Sequence, residues 1–531
     1  MSITAIHRAG HRSLLLDLSG PGTALALSSM LEAEPLSGQQ EVLPGAGSVL
    51  LSFDTAASAR RAVPVLRTLD PGELPPGTGK LVEIPVHYNG ADLDEVAALT
   101  GLSREAVISI HCAHPWLAVF GGFAPGFAYL AATGGELFVP RRDTPRTRVP
   151  AGSVALAGGY SAIYPSPSPG GWQLVGHTNA RLWSLERAEP ALIQAGNRVR
   201  FLPAREHLPP LQTPESHPEG PTEPGADALE VFASGLQSLL QDKGRRDMAG
   251  IGVGTSGSAD AASAAQANRL VGNDSGDAVI ENLFGGLSLR AHGDQVLAVT
   301  GARTGLLVTS PGETGLVSTP AQDAPFLLPD GHLLTLGPAR EGLRCYVAVR
   351  CGFNEPAVLG SRSTDTLSGL GPQPLVPGRL LPLGAAAGSR IVGHPEPGTV
   401  PEAGFAEPVF LRVIPGPRDD WFGSAGLERL CGQEWLVDAA SNRVGLRLAL
   451  PVGSLPLERI RAGEPDSEGM VTGALQVPPS GLPVLFLADH PVTGGYPVIG
   501  VVAERDVWTA AQLRPGTRIR FSLADEDAPV E

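Results

Sequence analysis

Lysine and cysteine are scarce in this sequence. Of its 531 residues, only Lys80 and Lys243 are lysines, so almost every basic side chain is an arginine. The four cysteines include no CxxC pair, which argues against a disulfide-stabilised scaffold and against a structural zinc site. Any function that requires one particular lysine is therefore limited to two candidates.

Long apolar runs and an excess of positive charge are also missing. No apolar stretch approaches the roughly 20 residues of a membrane span, and the N-terminus lacks the apolar core of a signal peptide. Lys and Arg total 39 against 54 Asp and Glu, a net charge of −15 that disfavours nucleic acid and anionic membranes as partners. We therefore predict a soluble cytoplasmic protein that binds neither nucleic acid nor membrane.

Several catalytic signatures are absent as well. Lys80 follows Gly-Thr-Gly but lacks the glycine spacing and the Ser/Thr of a phosphate-binding P-loop. Neither the GxSxG motif of serine hydrolases nor the HExxH motif of zinc peptidases occurs. A biotin attachment segment, in which a lysine lies between two methionines, is missing too. Nucleotide or carboxyl transfer would therefore need an unconventional site.

Glycine and proline are abundant, with 67 and 50 residues, while 42% of the chain is hydrophobic. Many turns combined with many apolar residues predict short strands, so we expect a mainly β fold. Residues 1–84 differ, because strand-like runs at 13–18 and 48–53 alternate with helical patterns at 24–34 and 56–69. This alternation predicts a small α/β lobe, the α+β N-terminal part of the fold.

The composition of the following residues suggests domain boundaries. Residues 85–203 have short β-prone runs and one helical pattern near 92–99 with Asp92 as its N-cap, which predicts a compact barrel or sandwich. Residues 204–226 are rich in Pro and Glu and lack apolar periodicity, as expected of a semi-extended linker. The linker separates a first part of about 200 residues from a second part of about 300.

Both parts end with the same two motifs. A G-G-aromatic motif at 170–176 precedes G-x-R-V-R-F at 196–201, and a similar motif at 494–500 precedes G-x-R-I-R-F at 516–521. Matched motifs in the same order indicate one β-rich unit that is used at least twice. We expect Val199 and Ile519 to point into the core and the flanking arginines to point outward.

Two polar clusters occupy glycine- and proline-rich turns of the first part, at 121–130 and 140–153. The second cluster has four arginines within eight residues, and guanidinium groups bind carboxylate or phosphate oxygens in pairs. A solvated surface loop is the alternative that the residues alone favour. Four nearby aromatic residues are expected in the core rather than in a pocket: Phe123, Phe127, Tyr129 and Trp172.

These motifs resemble a known protein family. The pieces are F-A-P-G-F-x-Y-L at 123–130, P-R-x-x-T-P-R-T-x-V-P-A-G-S-V at 140–154 and S-P-G-G-W-Q-L-x-G at 168–176. Residues 1–205 thereby resemble the PxpB family, the B component of 5-oxoprolinase, which is also called allophanate hydrolase subunit 1 or Kip inhibitor (KipI). One departure is His177, which stands where the family often has arginine.

Residues 228–524 resemble the sister family PxpC, the C component of 5-oxoprolinase, also called allophanate hydrolase subunit 2 or KipA. The matching segments are 240–245, 256–260, 267–273, 360–365, 416–422, 441–445, 467–469, 476–479 and 488–496. The chain thus resembles PxpB and PxpC fused through the 204–226 linker. The resemblance implies cyclophilin-like β-barrel domains, one in the first part and two in the second, at 227–385 and 386–531.

The resemblance also implies an activity, the ATP-dependent opening of 5-oxoproline to L-glutamate together with a separate 5-oxoprolinase subunit of the LamB/YcsF type. A lactam is a poor electrophile, so phosphorylation of its carbonyl oxygen is the expected activation. ATP and Mg²⁺ are the implied cofactors, with no biotin attached to this chain. The metal ligands stay unassigned, and homo-oligomerisation stays open.

The matched motifs and polar clusters supply the candidate site residues. The candidate catalytic residues are His114, Asp260, Glu281, Asp489 and His490. The candidate substrate- or phosphate-binding residues are Arg142, Arg146, Arg148, Gln173, Gln241, Asn268 and Arg443. Each has a structural alternative, as a turn cap or as a partner in an ion pair.

Two other functions remain open. The same pair of folds occurs in urea carboxylase, so one alternative is a carboxyltransferase acting on urea- or allophanate-like amides with a biotin carrier on another chain. The other is a Kip-type regulator of a histidine kinase. Fusion would pair such an inhibitor permanently with its antagonist, and a shared active site at the junction of the two parts explains fusion better.

Overall fold

A computed structural model describes residues 3–72, 79–132, 137–204, 227–312, 317–384 and 391–524. The predicted linker at 204–226 lies outside these residues apart from Ala204. The described chain is mainly β, as predicted, and consists of a lobe, two barrels and a pair of sheets between the barrels. Each of these four units has its own buried apolar core.

The N-terminal lobe is an antiparallel sheet with strand order β1-β2-β4-β3, covered by two helices. Its elements are β1 (Ile3–Arg8), β2 (Ser13–Leu18), α1 (Pro21–Ala33), β3 (Gln39–Pro44), β4 (Ser48–Phe53) and α2 (Ala56–Leu66). Leu27 of α1 and Ala59 of α2 pack with Leu16 and Leu51 of the sheet. The α/β character and the predicted strands and helices are confirmed.

The first barrel is a seven-stranded sheet with the order β12-β9-β10-β7-β6-β13-β5. Its elements are β5 (Leu81–Val86), α3 (Leu93–Thr100), α4 (Arg104–Ala113), β6 (Trp116–Gly121), β7 (Ala128–Ala131), β8 (Arg146–Val149), β9 (Ser153–Ala157), β10 (Tyr160–Ile163), β11 (Ser168–Gly170), β12 (Gln173–His177) and β13 (Arg198–Pro203). Hydrogen bonds of 2.8 and 2.9 Å between His87 and His177 join its two edges, so this barrel is nearly closed. The single helix predicted here is joined by a second, α4. Asp92 directly precedes α3 as expected, but its side chain makes no capping hydrogen bond to that helix.

The middle unit consists of two sheets around one core, with orders β20-β19-β22-β17-β14-β24 and β15-β16-β23-β18-β21. Its elements are β14 (Ala228–Ser234), β15 (Gln237–Gln241), α5 (Ala261–Val271), β16 (Val279–Leu283), β17 (Leu287–His292), β18 (Gln295–Arg303), β19 (Leu306–Thr309), β20 (Val317–Ser318), β21 (Pro325–Leu328), β22 (Leu333–Leu336), β23 (Glu341–Val349) and β24 (Leu380–Pro382). A short 3₁₀ turn, Ala249–Ile251, lies between β15 and α5. This turn reaches out of the middle unit toward the first barrel.

The last barrel is closed, with the order β25-β32-β29-β30-β27-β26-β33. Its elements are β25 (Val409–Pro415), α6 (Gly423–Gly432), β26 (Glu434–Val437), β27 (Gly445–Ala449), β28 (Glu468–Gly469), β29 (Ala474–Gln476), β30 (Val484–Phe486), β31 (Thr493–Gly494), β32 (Val498–Val502), α7 (Glu504–Ala510) and β33 (Arg518–Leu523). Strands β28 and β31 form a separate two-stranded ribbon on this barrel.

The two barrels are copies of one unit, which confirms the repeat predicted from the sequence. Starting from β5 and from β25, the strands follow the same cyclic order, and the first strand pairs in parallel with the last in both. The indole of Trp116 donates to the His111 carbonyl at 2.9 Å, and that of Trp435 donates to the Leu430 carbonyl at 3.0 Å. Val199 and Ile519 point into the cores as expected.

The structure also shows the state of the cysteines and the lengths of the helices. All four cysteines are free thiols. Across the described ranges, every helix is too short or too polar to cross a membrane.

Candidate functional site

The first part meets the second at the glycine-rich turn 121–127. The amide of Gly126 donates to the carbonyl of Ile251 at 3.0 Å, and the amide of Phe123 donates to Oγ1 of Thr493 at 3.2 Å. One turn of the first barrel thereby contacts both the 249–252 segment of the middle unit and the β31 ribbon of the last barrel. The junction joins the segments that resemble PxpB and PxpC.

Glycine is required at this junction because the backbones approach closely. A Cβ atom at Gly122 would lie 2.3 Å from Oγ1 of Thr493, and one at Gly252 would lie 2.2 Å from the carbonyl oxygen of Ala124. Gly252 also has a φ of +80°, a conformation that favours glycine. The G-G-F-A-P-G sequence is therefore the surface of the first part against which the second part packs.

The aromatic residues of the junction form a packed cluster. Phe127 lies 5.8 Å from Trp172 and 5.5 Å from Tyr164, and Tyr129 lies 5.6 Å from Trp172, each measured between ring centroids in an edge arrangement. Trp172 and Phe127 are buried, so their predicted place in the core is confirmed. Phe123 is partly buried against the same cluster and has a φ of +64°.

Two phenols of this cluster, Tyr129 and Tyr164, interact electrostatically with Arg141. Burial raises the pKa of Tyr129, while its interactions with Ser467, Arg141 and Thr493 oppose that rise. Burial also raises the pKa of Tyr164 to about 12, again against the charge of Arg141. Arg141 is exposed and has no hydrogen bond or ion pair with any residue that the structure describes. Arg141 belongs to the arginine cluster at 140–153 but is not among the candidate residues predicted from the sequence.

The neighbouring arginines have other environments. Arg142 and Arg146 donate to the same Oδ1 of Asp92, at 2.8 and 2.7 Å, and the amide of Leu174 donates to Oδ2 at 2.7 Å. Because Asp92 is buried, these two arginines compensate its charge. Arg148 lies on the exposed side of β8. Ligand binding by these three residues stays a prediction.

Arg443 is the centre of a second, fully buried cluster that contains several predicted residues. Its guanidinium donates to Asp489 at 2.9 and 3.0 Å, to the carbonyl of Gly257 at 2.6 Å, and to Glu281. Asp489 also accepts from the hydroxyl of Ser256 at 2.7 Å. The charge of Arg443 lowers the pKa of both carboxyls against the opposing effect of burial.

Asp260 lies at the edge of this cluster in a different role. It is the N-cap of α5, accepting from the amide of Ser263 at 3.0 Å and from the amide group of Gln512 at 2.8 Å. Burial raises the pKa of Asp260. Tyr346 links it to Glu281, because its hydroxyl donates to Glu281 at 2.9 Å and accepts from the amide of Asp260 at 2.8 Å.

The cluster around Arg443 holds two chain segments that lead to the junction. Its members fix segment 256–260 and Asp489, and these segments continue into the 249–252 turn and Thr493. We define it as the Arg443 cluster, which contains Arg443, Glu281, Asp489, Ser256 and the carbonyl of Gly257. Its members are buried and bonded to one another, so its observed role is to hold the two segments that meet turn 121–127.

The other predicted residues are bonded to other groups of the chain or are exposed, and Gln173 reaches the residue directly before Arg141. The side-chain amides donate to backbone carbonyls: Gln173 to Pro140, Gln241 to Thr364 and Asn268 to Asp277. The ring of His490 is buried, bonded to Thr472 and to the Pro491 carbonyl, and burial lowers its pKa. His114 is exposed at the end of α4.

Glu468 lies in the matched segment 467–469 but is not among the candidate residues predicted from the sequence. It lies on β28 opposite Gly494, and its Oε2 is 2.6 Å from Arg418, which also binds Asp17 of the lobe at 2.7 Å. Burial raises the pKa of Glu468 to about 7, although Arg418 opposes this. Its Oε1 has no hydrogen-bond partner among the described residues. A carboxyl of this pKa beside the junction can hold or release a proton near neutral pH.

The described parts of the chain contain no group of three or more His, Cys, Asp and Glu side chains arranged to hold a metal ion. At the junction, Arg141 offers a cation and the two phenols offer hydroxyl groups.

Comparisons with known proteins agree with this two-part architecture. A 130-residue segment is 46% identical to the 5-oxoprolinase B subunit of Escherichia coli O157:H7, and it spans 24% of this chain and 60% of that protein. A 299-residue segment is 31% identical to the 5-oxoprolinase C subunit of E. coli K12, spanning 55% of this chain and 90% of that protein. Urea amidolyase of Saccharomyces cerevisiae is 31% identical over 315 residues, which are 55% of this chain and 16% of that protein.

The crystal structure of TTHA0988 matches nearly the whole chain. It is 36% identical with a TM-score of 0.82 and covers 96% of this chain and 100% of that one. Two family descriptions match in succession, "Carboxyltransferase domain, subdomain C and D" at residues 4–193 and "Carboxyltransferase domain, subdomain A and B" at residues 251–523. The chain therefore belongs to the carboxyltransferase-domain family, with the regions similar to the B and C subunits of 5-oxoprolinase joined in one polypeptide.

Proposed function

We propose that this protein is the B and C component of an ATP-dependent 5-oxoprolinase, which opens 5-oxoproline to L-glutamate together with a separate LamB/YcsF-type subunit. The observation that supports this most directly is the position of Arg141. Among the described residues it has no ion-pair partner, and its charge acts on two buried phenols where the PxpB-like and PxpC-like parts meet. All three groups belong to the PxpB-like part, but Tyr129 is bonded to Ser467 and Thr493 of the PxpC-like part, and this dependence accounts for their union in one chain.

Arg141 would bind the carboxylate of 5-oxoproline. A guanidinium offers two parallel N–H groups to a carboxylate, and no described residue competes for those of Arg141. Arg142 and Arg146 are less suited, because Asp92 already accepts from both. This assignment transfers the carboxylate-binding role from the predicted arginines to their neighbour.

Tyr129 and Tyr164 would act as hydrogen-bond donors. Both pKa values are raised by burial, so both phenols keep their protons at neutral pH. A protonated phenol donates to the lactam oxygen or to phosphoryl oxygens, and a buried donor stabilises developing negative charge strongly. Neither phenol needs to ionise in this scheme.

The reaction balances with ATP and water as co-substrates. The lactam oxygen attacks the γ-phosphorus of ATP, ADP leaves, and the activated carbon then accepts water. Cleavage of the C–N bond and release of phosphate give glutamate. The chain's task is to hold the ring and stabilise charge, as in phosphoryl transfer generally.

Magnesium would accompany the nucleotide. A magnesium ion in such sites is held by substrate phosphates with one or two protein carboxylates, so a cluster of three acidic residues is not required. Glu468 is a partly unpartnered carboxylate, among the described residues, on the ribbon strand that pairs with β31 at the junction. Which carboxylate would serve the ion stays open, and no step above depends on it.

The test is glutamate and ADP formation by the purified full-length chain with the LamB/YcsF-type subunit, 5-oxoproline and Mg-ATP. We expect Arg141→Gln to lower kcat/KM at least about tenfold, mainly through KM, because one charged hydrogen-bonding group is lost. Arg148→Gln is the matched control, an exposed arginine from the same cluster, and we expect it to stay within about twofold. A tenfold loss of kcat/KM in Arg148→Gln, with Arg141→Gln unchanged, would reject the assignment of Arg141.

A carboxyltransferase is the second candidate, because both family descriptions carry that name and a urea amidolyase is similar. It would use a biotin carrier on another chain and a urea- or allophanate-like amide. Transfer of ¹⁴C from carboxybiotin to urea, with no glutamate formed from 5-oxoproline under any condition, would favour this candidate.

A further inference from the structure

An exposed carboxylate of the second part of the chain, that of Asp466, lies beside the aromatic cluster of the junction. Asp466 directly precedes Ser467, which is hydrogen-bonded to Tyr129 of the first barrel. The amide of Ala46 in the lobe donates to the Ser467 carbonyl at 2.9 Å. Strand β28 begins at the next residue and pairs with β31. The backbone next to Asp466 is therefore fixed from the lobe and from the ribbon.

The charge of Asp466 acts on a third phenol, that of Tyr160 on β10. The rings of Tyr160 and Tyr129 are 5.9 Å apart between centroids, in an edge arrangement. Burial and then the charge of Asp466 raise the pKa of Tyr160 to about 12. Arg141 acts on Tyr129 and Tyr164 of the same cluster. A cation and an anion from the two parts of the chain thus border one group of phenols.

Asp466 is available as a hydrogen-bond acceptor. Within the described ranges it makes no hydrogen bond and no ion pair, and in particular it does not pair with Arg141. Other acceptors beside the junction are engaged. Oγ1 of Thr493 accepts from a backbone amide at 3.2 Å, and Glu468 lies 2.6 Å from an arginine. Among these three acceptors, Asp466 is the one that a ligand can use.

A lactam requires such an acceptor. In the proposed site, Arg141 holds the carboxylate of 5-oxoproline and the phenols donate to its oxygens, which leaves the ring N–H without a partner. An N–H group that loses water without gaining an acceptor weakens binding. A carboxylate is a strong acceptor for it, because a hydrogen bond to an ionised group is about twice as strong as a neutral one.

Ring opening strengthens the same contact. When the C–N bond breaks, its electron pair stays on nitrogen, which takes one proton from the attacking water and a second from solvent. The nitrogen thereby becomes the ammonium group of glutamate, and its neutral contact with Asp466 becomes an ion pair. An interaction that grows along the reaction favours the step itself as well as binding.

We propose that Asp466 accepts the ring N–H of the substrate and thereby selects cyclic amides over cyclic esters. This inference rests on the proposed function and adds the chemical class of its substrate, a lactam with a free N–H next to a carboxylate. In the corresponding lactone a ring oxygen replaces the N–H, and its lone pairs would meet the carboxylate of Asp466. A site built around an N–H rejects an analogue that lacks it.

The test uses the lactone analogue, 5-oxotetrahydrofuran-2-carboxylate, as a competitive inhibitor of glutamate formation. The full-length chain is assayed with the LamB/YcsF-type subunit, 5-oxoproline and Mg-ATP, and the quantity measured is the ratio of the lactone Ki to the 5-oxoproline KM. Asp466→Asn removes the charge and offers an amide N–H to the ring oxygen, so we expect the ratio to fall at least about tenfold. Asp466→Glu keeps the carboxylate and should keep most of the selectivity.

Glu464→Gln is the matched control. Glu464 is an exposed acid two residues earlier, and its charge does not act on the three phenols. The ratio should stay within about twofold of the parent value. Equal falls in Glu464→Gln and Asp466→Asn would indicate a general charge effect and would overturn the role of Asp466.

Two other outcomes separate this inference from the proposed function. A parent protein that forms glutamate, with a ratio unchanged by Asp466→Asn, would overturn the role of Asp466 and leave the 5-oxoprolinase proposal standing. A parent protein that forms no glutamate from 5-oxoproline would overturn both.

Discussion

Replacing Arg443 by methionine should destabilise the protein strongly. The change removes the hydrogen bonds to Asp489 at 2.9 and 3.0 Å and to the Gly257 carbonyl at 2.6 Å, as well as the pairing with Glu281. Both carboxylates stay buried, with side chains 0% and 4% exposed. Removing one partner from a buried ion pair costs about 3–5 kcal/mol, and Arg344, which lies 3.5 Å from Glu281, offsets only part of this loss.

The measurement is urea-induced unfolding of the full-length chain, followed by tryptophan fluorescence because Trp435 lies in the core of the last barrel. Arg518→Met is the control, since Arg518 of the same barrel is 50% exposed and its pairs lie at the surface. It should change the free energy of unfolding by less than about 1 kcal/mol. The triple variant Arg443→Met/Glu281→Gln/Asp489→Asn should recover at least half of the loss, because it removes the uncompensated charges.

A loss below about 1 kcal/mol for Arg443→Met would refute the reasoning, since it would mean that water or a rearrangement compensates both carboxylates. Equal losses of unfolding free energy in Arg443→Met and in the triple variant would also contradict the reasoning, for another reason. They would show that packing around the long side chain, rather than its charge, holds the two segments together.

Three further predictions concern the junction and its surroundings. Glu468→Gln should abolish a pH dependence of the free energy of unfolding. The raised pKa of Glu468 stabilises the fold below about pH 4.5, and this stabilisation, up to about 3 kcal/mol, is lost as the pH rises through about 7. The melting curves of variant and parent should therefore diverge between those two pH values. Gly122→Ala should lower the free energy of unfolding by about 1–3 kcal/mol by colliding with Thr493, whereas Gly159→Ala, with no atom within 4 Å, should be nearly neutral in the same urea titration. Asp92→Ala should cost about 2 kcal/mol in that titration because two arginines and one amide lose their acceptor, and an unchanged midpoint would contradict this.

The repeat was predictable because it depends on local chemistry. In G-x-R-[VI]-R-F, a turn glycine precedes a strand in which alternate side chains enter the core, and β13 and β33 follow this pattern with Val199 and Ile519 buried. The alternation of strand and helix patterns likewise identified the lobe. In contrast, the closure of each barrel depends on pairing between strands that lie far apart in the chain, which the sequence does not display.

The arginine cluster shows where prediction from sequence ends. Arg141, Arg142 and Arg146 are chemically equal in the sequence, and only the position of Asp92, about 50 residues earlier, distinguishes them. Asp260 is similar, because an acidic residue before a helix can cap it or bind a ligand, and here it caps α5. Long-range partners decide such roles, and neither spacing nor composition encodes them directly.

The contact between turn 121–127 and the 249–252 segment has a consequence for how the protein behaves on dilution. Both segments belong to one polypeptide, so their encounter is intramolecular, and its effective concentration does not fall when the protein is diluted. Two separate polypeptides at nanomolar concentration would dissociate unless their affinity were high. Here the contact between the two segments should persist as the protein is diluted, and natural selection on the affinity of these surfaces is relaxed accordingly.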